Sequence, residues 1–238
     1  MTGDGALNET DLRAKPGPWV ELALTLPIFI GYHLGVVFLN VRNASDLFTG
    51  LLLKATEGNT SMYLLFTAAI GVVFAGVFAW LGRGQAFKGS KFLQIAIEGV
   101  LYALLMRLAG GYVIAHLFAG KVTMSGFAGL VMSMGAGFYE ELAYRAILFA
   151  LGGKVLALLF SPQMGRVQRL FLGTLWAIGC AAIFSWVHYI GPLGDAFELR
   201  SFVFRWVLGL ALTLIYWGRG FAAATWSHAL YDAWILVL

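Results

Sequence analysis

Long runs of apolar residues, separated by short polar stretches, cover most of this chain. The runs are continuous and do not alternate polar with apolar positions, as the strands of a membrane barrel do. Most of them approach the length of about 20 residues that a helix needs to cross about 30 Å of hydrocarbon. Because lipid tolerates only helices or closed barrels as spanning structures, the pattern predicts an all-α, polytopic membrane helical bundle.

The hydropathy pattern predicts about seven transmembrane helices. Two further apolar stretches, residues 47–55 and 155–160, are too short to span alone and are expected to be interfacial or re-entrant, so that the expected range is six to eight. The seven candidate spans are residues 19–40, 60–81, 92–119, 126–151, 170–190, 202–217 and 221–238.

The first 18 residues differ from the remainder of the chain. Residues 1–18 are polar, of mixed charge and broken by Pro16 and Pro18, which predicts a polar N-terminal tail. This tail lacks the basic start of a signal peptide. The apolar run that follows is too long for the core of a signal peptide, so we expect this run to be retained in the protein. With no linker or internal repeat beyond it, residues 19–238 are predicted to form a single integral membrane domain.

Composition excludes a soluble domain. The chain has 238 residues, of which 60% are hydrophobic and 12% charged, and its mean hydropathy is +0.81. Soluble domains carry roughly 25% charged residues. The single cysteine, Cys180, lies within an apolar run, which excludes an internal disulfide and is typical of a small core residue.

The basic residues are distributed unequally between the two sides of the predicted bundle. Nine Lys or Arg residues lie on the side of the N-terminus and four on the opposite side, whereas Arg107, Arg145 and Arg205 lie within spans. This excess predicts a cytoplasmic N-terminus. The expected location is a prokaryotic plasma (inner) membrane. The net charge of +4 then reflects membrane topology, and the expected partner is the lipid bilayer, with no nucleic acid.

Ionisable side chains occur inside three of the apolar runs. Charge at this depth costs several kcal/mol unless it faces a partner or a wetted cavity, so these residues are candidates for a functional site. On a helix Glu141 and Arg145 share a face and can pair, whereas Glu140 points about 100° away and is free to contact another group. The other ionisable residues are His188 in a second run and the i,i+4 pair His228 and Asp232 in the last.

Carboxylates and imidazoles that converge from three helices support two kinds of chemistry. They can coordinate a divalent metal such as zinc, or they can activate a water molecule by general base catalysis. Either use produces a nucleophilic water. The motifs of two other intramembrane protease types, His-Glu-x-x-His and Gly-x-Ser-Gly, do not occur in the chain. Tyr231-Asp232 matches only half of the aspartyl protease signature.

Three short motifs occur in a fixed order between residues 138 and 232. Together they resemble the signature of the CAAX prenyl protease and bacteriocin-processing family of intramembrane endopeptidases, which includes the Ras-converting enzymes. The resemblance implies hydrolysis of a peptide bond in a membrane protein or lipidated peptide, and it places the catalytic core in about residues 126–238. The motifs are Glu140-Glu141-x-x-x-Arg145, Phe184-x-x-x-His188 and His228-x-x-x-Asp232.

The resemblance also implies a role for each residue. Glu140 would be the catalytic base or a metal ligand, His188 a second group that activates water or binds metal, and Glu141 with Arg145 a supporting pair. His228 and Asp232 would complete the catalytic set. If one divalent metal such as zinc is present, its ligands would be Glu140, His188 and His228; otherwise no cofactor is needed. An ionised Asp232 cannot donate a hydrogen bond, so it is expected to orient His228 or hold the metal rather than stabilise an oxyanion.

Two other classes of function remain open. Glu140, His188 and Asp232 could form the relay of a proton- or metal-coupled carrier, but many carriers have repeated halves and each motif here occurs once. A non-catalytic immunity or binding protein would carry the same motifs without turnover.

A shared site also requires a shift of span boundaries, because His188 lies near the end of its predicted span. His33 and His116, which lack partnered motifs, are expected to serve packing.

Overall fold

The computed structural model describes residues 14–39, 41–43, 45–117, 126–160, 164–191 and 194–237, with the backbone alone for residues 47 and 111–117. Residues 1–13 of the predicted tail therefore lie outside the described residues, and so do Lys121 and the side chain of His116.

The described part of the chain contains helices and no strand, which confirms the predicted all-α class. Six of the helices are long and apolar enough to cross a membrane. The eight helices are α1 (Pro18–Leu39), α2 (Leu47–Ala55), α3 (Thr60–Leu81), α4 (Gly89–Leu117), α5 (Gly126–Phe160), α6 (Arg166–Val187), α7 (Leu199–Arg219) and α8 (Phe221–Val237). The candidate spans are all of these except α2 and α8, and α8 has 17 residues. Each of the seven predicted spans corresponds to one of the seven long helices.

The last helix, α8, lies at the centre of the bundle and packs against α1, α4, α5 and α7. Its first turns are made of small residues, and Ala222, Ala223 and Ala224 are fully buried. Small residues let helix backbones approach closely in a membrane. Gly137 of α5 meets this surface, where a Cβ atom would lie 2.6 Å from the carbonyl oxygen of Thr225. The close approach brings α5 and α8 together just before Glu140.

The start of α8 is held by a carboxylate from the other end of the chain. Glu21 of α1 accepts hydrogen bonds from the backbone N–H groups of Phe221, at 3.1 Å, and of Ala222. These are two of the N–H groups that a helix leaves without an internal partner. Glu21 therefore caps α8 and ties the first helix to the central one.

Three local features differ from the sequence prediction. The stretch 155–160, predicted as a separate short segment, continues α5, which is 35 residues long. Its middle part, Ala136–Leu151, is a π-helix, although α-helical geometry was expected there. Helix α6 ends at Val187 rather than at residue 190, so that His188 caps its C-terminus. All three changes concern the helices that carry the motifs.

Candidate functional site

Glu140, His188 and His228 meet inside the bundle. Glu140 is 5% exposed and lies in the π-helical part of α5. Its Oε2 atom is 3.9 Å from Nε2 of His188 and 3.8 Å from Nε2 of His228. The convergence that the motifs predict thus occurs in the structure. Helix α6 ends at Val187, three residues before the predicted boundary, so His188 lies at the end of the helix and not within it.

The gap between these three atoms suits one water molecule. Distances of 3.8–3.9 Å are too long for direct hydrogen bonds. A water oxygen at about 2.8 Å from both atoms of either pair would bridge the carboxylate to an imidazole nitrogen with ordinary hydrogen bonds. Oε2 of Glu140 can therefore share a water molecule with His188 and with His228.

The same donors are of the types that bind zinc, but they are spaced more widely than a formed zinc site. Tetrahedral coordination at 2.0–2.2 Å would place neighbouring ligand atoms about 3.3–3.5 Å apart. The observed separations from Glu140 are 3.8 and 3.9 Å. Among the described residues, no three His, Cys, Asp or Glu side chains have the arrangement of a metal site.

Hydrogen bonds orient both imidazole rings toward the gap. His188 Nδ1 lies 2.8 Å from the carbonyl oxygen of Phe184, and His228 Nδ1 lies 2.7 Å from Oε1 of Glu141. Because a carbonyl oxygen only accepts hydrogen bonds, the Nδ1 atom of His188 carries the proton. A neutral His188 then presents the lone pair of Nε2 toward Glu140. Each ring is thus anchored by one nitrogen and faces the gap with the other.

Glu141 and Arg145 form the predicted ion pair beneath the gap. Their atoms Oε1 and Nη1 are 3.0 Å apart, and both side chains are almost fully buried. Arg145 also donates to the carbonyl oxygen of Gly209 at 3.3 Å, and its guanidinium lies 4.2 Å from the ring centre of Phe184. The hydrogen bond between Glu141 and His228 was not predicted. It joins this ion pair to the candidate site.

Asp232 lies beside the gap and not behind His228. Its Oδ2 atom is 3.6 Å from Nε2 of His228, the nitrogen that faces Glu140. The bond that orients the ring through Nδ1 comes from Glu141. The orienting role that was expected of Asp232 is therefore performed by Glu141 in this geometry. Asp232 instead adds negative charge next to Nε2 of His228.

The gap lies next to two partly exposed side chains. The side chains of His188 and Asp232 are 26% and 24% exposed, whereas those of Glu141, Arg145 and His228 are 3% exposed or less. Phe184 packs its ring edge-to-face against both histidines, with ring centres 5.1 Å and 6.1 Å apart. His188 and Asp232 therefore connect the gap to the protein surface, and the ring of Phe184 covers the guanidinium of Arg145.

Asn43 contacts Glu140, a contact that was not predicted from the sequence. This residue follows α1 in a short loop, and its Nδ2 group donates a 3.0 Å hydrogen bond to Oε1 of Glu140. Its backbone N–H donates to the hydroxyl of Tyr32, which in turn donates to Oδ2 of Asp46 at 2.7 Å. Burial raises the pKa of the Asp46 carboxyl, and hydrogen bonds from Thr49 oppose this shift. Asn43 is thus firmly held and supports the oxygen of Glu140 that does not face the gap.

His33 is buried as predicted, and it also braces the wall of the site. One ring nitrogen lies 2.8 Å from the hydroxyl of Tyr63 and the other lies 2.6 Å from that of Tyr139. Tyr139 immediately precedes Glu140. His33 therefore links α1 and α3 to the segment of α5 that carries the carboxylate.

One family model matches the chain. It is described as type II CAAX prenyl endopeptidase Rce1-like and covers residues 122–234, which include all three motifs and both histidines of the site. The comparisons with curated proteins and with solved structures give no match.

Proposed function

Because the chain belongs, through residues 122–234, to the type II CAAX prenyl endopeptidase Rce1-like family, we propose that it hydrolyses a peptide bond of a membrane protein or lipidated peptide within the bilayer. One observation carries this proposal: Oε2 of Glu140 lies within 3.9 Å of an imidazole nitrogen of both His188 and His228. Such an arrangement supplies what peptide hydrolysis lacks in lipid, a polar place for one water.

The family is a protease family, and the chain is an integral multi-pass membrane protein. Within this framework we propose processing of a CAAX-type tail, a leader peptide or a sorting tail. We also propose a prokaryotic plasma membrane as the location. The excess of basic residues on the side of the N-terminus supports a cytoplasmic N-terminus.

In the proposed reaction Glu140 is the general base. It accepts a proton from the water in the gap, and the oxygen of this water attacks the scissile carbonyl carbon. When the tetrahedral intermediate collapses, the C–N bond breaks and Glu140 returns the proton to the leaving amine. His188 accepts a hydrogen bond from the water through Nε2, which orients the attacking lone pair.

His228 is proposed to stabilise the oxyanion. Carboxylates lie near both of its nitrogens, Glu141 at 2.7 Å from Nδ1 and Asp232 at 3.6 Å from Nε2. An imidazole can donate from both nitrogens only in its doubly protonated form. The imidazolium would direct its Nε2–H toward the gap, where the negative charge develops. Asp232 would hold the positive charge on this ring.

A divalent metal is the alternative way to activate the water. If one binds, Glu140, His188 and His228 are the residues that would hold it. Such a metal would lower the pKa of its bound water. Zinc analysis of protein purified without added metal, followed by chelation and add-back during the cleavage assay, distinguishes the two schemes.

We expect His188→Ala to abolish cleavage of membrane-delivered peptides without unfolding the protein. The ring of His188 is only partly buried and makes one hydrogen bond, to the backbone carbonyl of Phe184. Its loss therefore removes the hydrogen-bond acceptor in the gap and leaves only this carbonyl without its side-chain donor. The peptide products are measured by mass spectrometry on purified protein in detergent. Ile190→Ala is the control, since this exposed side chain lies two residues further along the same loop.

The same assay distinguishes the endopeptidase from the other classes. A carrier or a non-catalytic binding protein would be folded and would cleave none of the prenylated, leader or sorting-tail peptides offered. Cleavage by the wild type at a rate that His188→Ala does not change would contradict the proposed site.

Asn43→Ala is expected to lower kcat by about 10-fold to 100-fold and to leave KM nearly unchanged. The substitution removes the donor to Oε1 of Glu140, and small misplacements of a catalytic group have effects of this size. Steady-state kinetics measure both constants. Asn59→Ala is the matched control, because it also removes a side-chain amide next to a helix. Asn59 is the N-cap of α3, and its Oδ1 atom accepts a hydrogen bond from the backbone N–H of Met62. An equal loss of kcat in both variants would contradict a positioning role for Asn43.

A further inference from the structure

Tyr144 belongs to the wall of the candidate site, and the proposed reaction does not use it. It follows Glu140 by four positions in the π-helical part of α5, so the two side chains lie on nearly the same face of the helix. Its ring packs edge-to-face against Phe184, with ring centres 5.3 Å apart. Phe184 makes the same kind of contact with His188 and His228. Tyr144 is therefore the third polar ring that packs around Phe184.

The hydroxyl of Tyr144 lies close to charged and polar groups of the site. It interacts electrostatically with Glu140 and Arg145, and it lies within hydrogen-bonding reach of the Ser45 hydroxyl. Ser45 belongs to the same short loop as Asn43, whose amide donates to Glu140. This loop therefore contacts both Glu140 and Tyr144, which places the hydroxyl at the edge of the site.

The O–H group of Tyr144 remains available to a ligand. A phenol donates one hydrogen bond and accepts through its oxygen. In the described part of the chain, Ser45 is the one hydrogen-bonding neighbour of this hydroxyl. The negative charge of Glu140 attracts the hydrogen of the phenol, so Ser45 acts as the donor of the pair and the O–H of Tyr144 points toward the side of Glu140. Tyr144 is partly exposed, so a bound peptide can contact it.

A peptide bound at the gap brings backbone groups that need partners. Each peptide bond carries one donor and one acceptor, and both are costly to leave unpaired away from water. In the proposed reaction Glu140, His188 and His228 serve the attacking water and the oxyanion, so the next carbonyl of the peptide needs a donor from another side chain. Tyrosine suits this position, because its ring packs in apolar surroundings while its hydroxyl bonds to a polar group.

On the basis of the proposed function, we propose that the hydroxyl of Tyr144 donates a hydrogen bond to a backbone carbonyl oxygen of the peptide substrate next to the scissile bond. Tyr144 is then a substrate-binding residue that holds the peptide beside Glu140 and takes no part in proton transfer. Because the bond is made to the backbone, it does not depend on the side chains of the substrate.

Tyr144→Phe removes the hydroxyl and keeps the ring against Phe184. Binding is measured in a His188→Ala background, which is expected to leave the peptide uncleaved and which keeps the charge of Glu140. The probe is the prenylated, leader or sorting-tail peptide that the wild type cleaves fastest, labelled with a fluorophore and titrated in detergent by fluorescence anisotropy. We expect Tyr144→Phe to weaken binding by about 3-fold to 10-fold, the effect of one hydrogen bond.

Tyr102→Phe in the same background is the matched control. Tyr102 is a partly exposed tyrosine of α4 whose electrostatic neighbours are Glu98 and Arg219, and these residues lie outside the site. Because no hydrogen bond to the peptide is lost, this variant should bind within about twofold of the His188→Ala protein.

A series of modified peptides identifies the acceptor. In each peptide an alkene replaces one peptide bond near the cleavage site, which removes one carbonyl oxygen and keeps the extended chain. The N–H group is lost as well, but this loss is common to both proteins. We expect one alkene to weaken binding to the His188→Ala protein by about 3-fold to 10-fold and to have little further effect when Tyr144→Phe is also present.

Equal losses in the two proteins at every position of the alkene would overturn the proposal, because Tyr144 would then act only on the structure of the site. Cleavage by the wild type together with unchanged binding in the Tyr144→Phe variant would also overturn it, and the proposed function would stand. A wild-type protein that cleaves none of the peptides would overturn both.

Discussion

Glu140→Gln is expected to reduce peptide cleavage by about 10³-fold or more while the protein stays folded. Glutamine retains a carbonyl oxygen that can accept the hydrogen bond from Asn43, so the side chain stays in place. The amide group that replaces Oε2 cannot take a proton from water, and it presents a donor where the base presented an acceptor. Initial rates of product formation, with circular dichroism and gel filtration as checks of folding, measure the effect.

Glu198→Gln is the control for this substitution. Glu198 is exposed and precedes α7, and it belongs to no motif, so the same chemical change there should leave the rate within about twofold of the wild type. A Glu140→Gln variant that is folded and cleaves at the wild-type rate would show that another group activates the water.

The seven long helices and the ion pair could be predicted because the signals for them are local. Hydropathy is a property of consecutive residues, and Glu141 and Arg145 are only four positions apart. Because burying a charge in lipid is costly, these two residues need an oppositely charged partner in any fold. The order of the three motifs then indicated which polar residues meet, although the sequence does not specify how they are oriented.

The contacts that orient the site could not be predicted because they join distant parts of the chain. Asn43 and Glu140 are 97 positions apart, and Glu141 and His228 are 87 apart. A polar residue in a loop next to a span is ordinary, so Asn43 carried no signal. Glu141 has a local partner in Arg145, so nothing in the sequence indicated that it also bonds to His228.

The helix geometry around Glu140 is a further case in which local reasoning was insufficient. The sequence of Ala136–Leu151 is compatible with an α-helix, yet this segment is a π-helix. Segments of this type are frequent at functional sites. Gly137 packs against α8 directly before Glu140, so tertiary packing acts on this segment in addition to local propensity.

Arg145→Met is expected to lower the free energy of unfolding by about 3–5 kcal/mol, the largest effect on stability that we expect from one substitution in this site. Arg145 is 1% exposed and its removal leaves the carboxylate of Glu141 buried without its cation. Methionine fills a similar volume, so the loss is electrostatic rather than a cavity effect. Thermal unfolding in detergent, followed by circular dichroism, measures the change.

Two further variants distinguish the effect of leaving a buried charge without its partner from the general effect of removing an arginine. Arg205→Met breaks the ion pair with Asp195, whose atoms are 2.6 Å apart but whose carboxylate is 58% exposed, and should cost no more than about 1 kcal/mol. Glu141→Gln/Arg145→Met removes both buried charges and keeps an acceptor for His228. This double variant should be more stable than Arg145→Met alone, because the carboxylate that loses its arginine is removed as well, and Asp232 still lies 3.6 Å from Nε2 of His228. If the double variant is instead less stable, the stability of this region depends on the ion pair itself and not on avoiding a lone buried carboxylate.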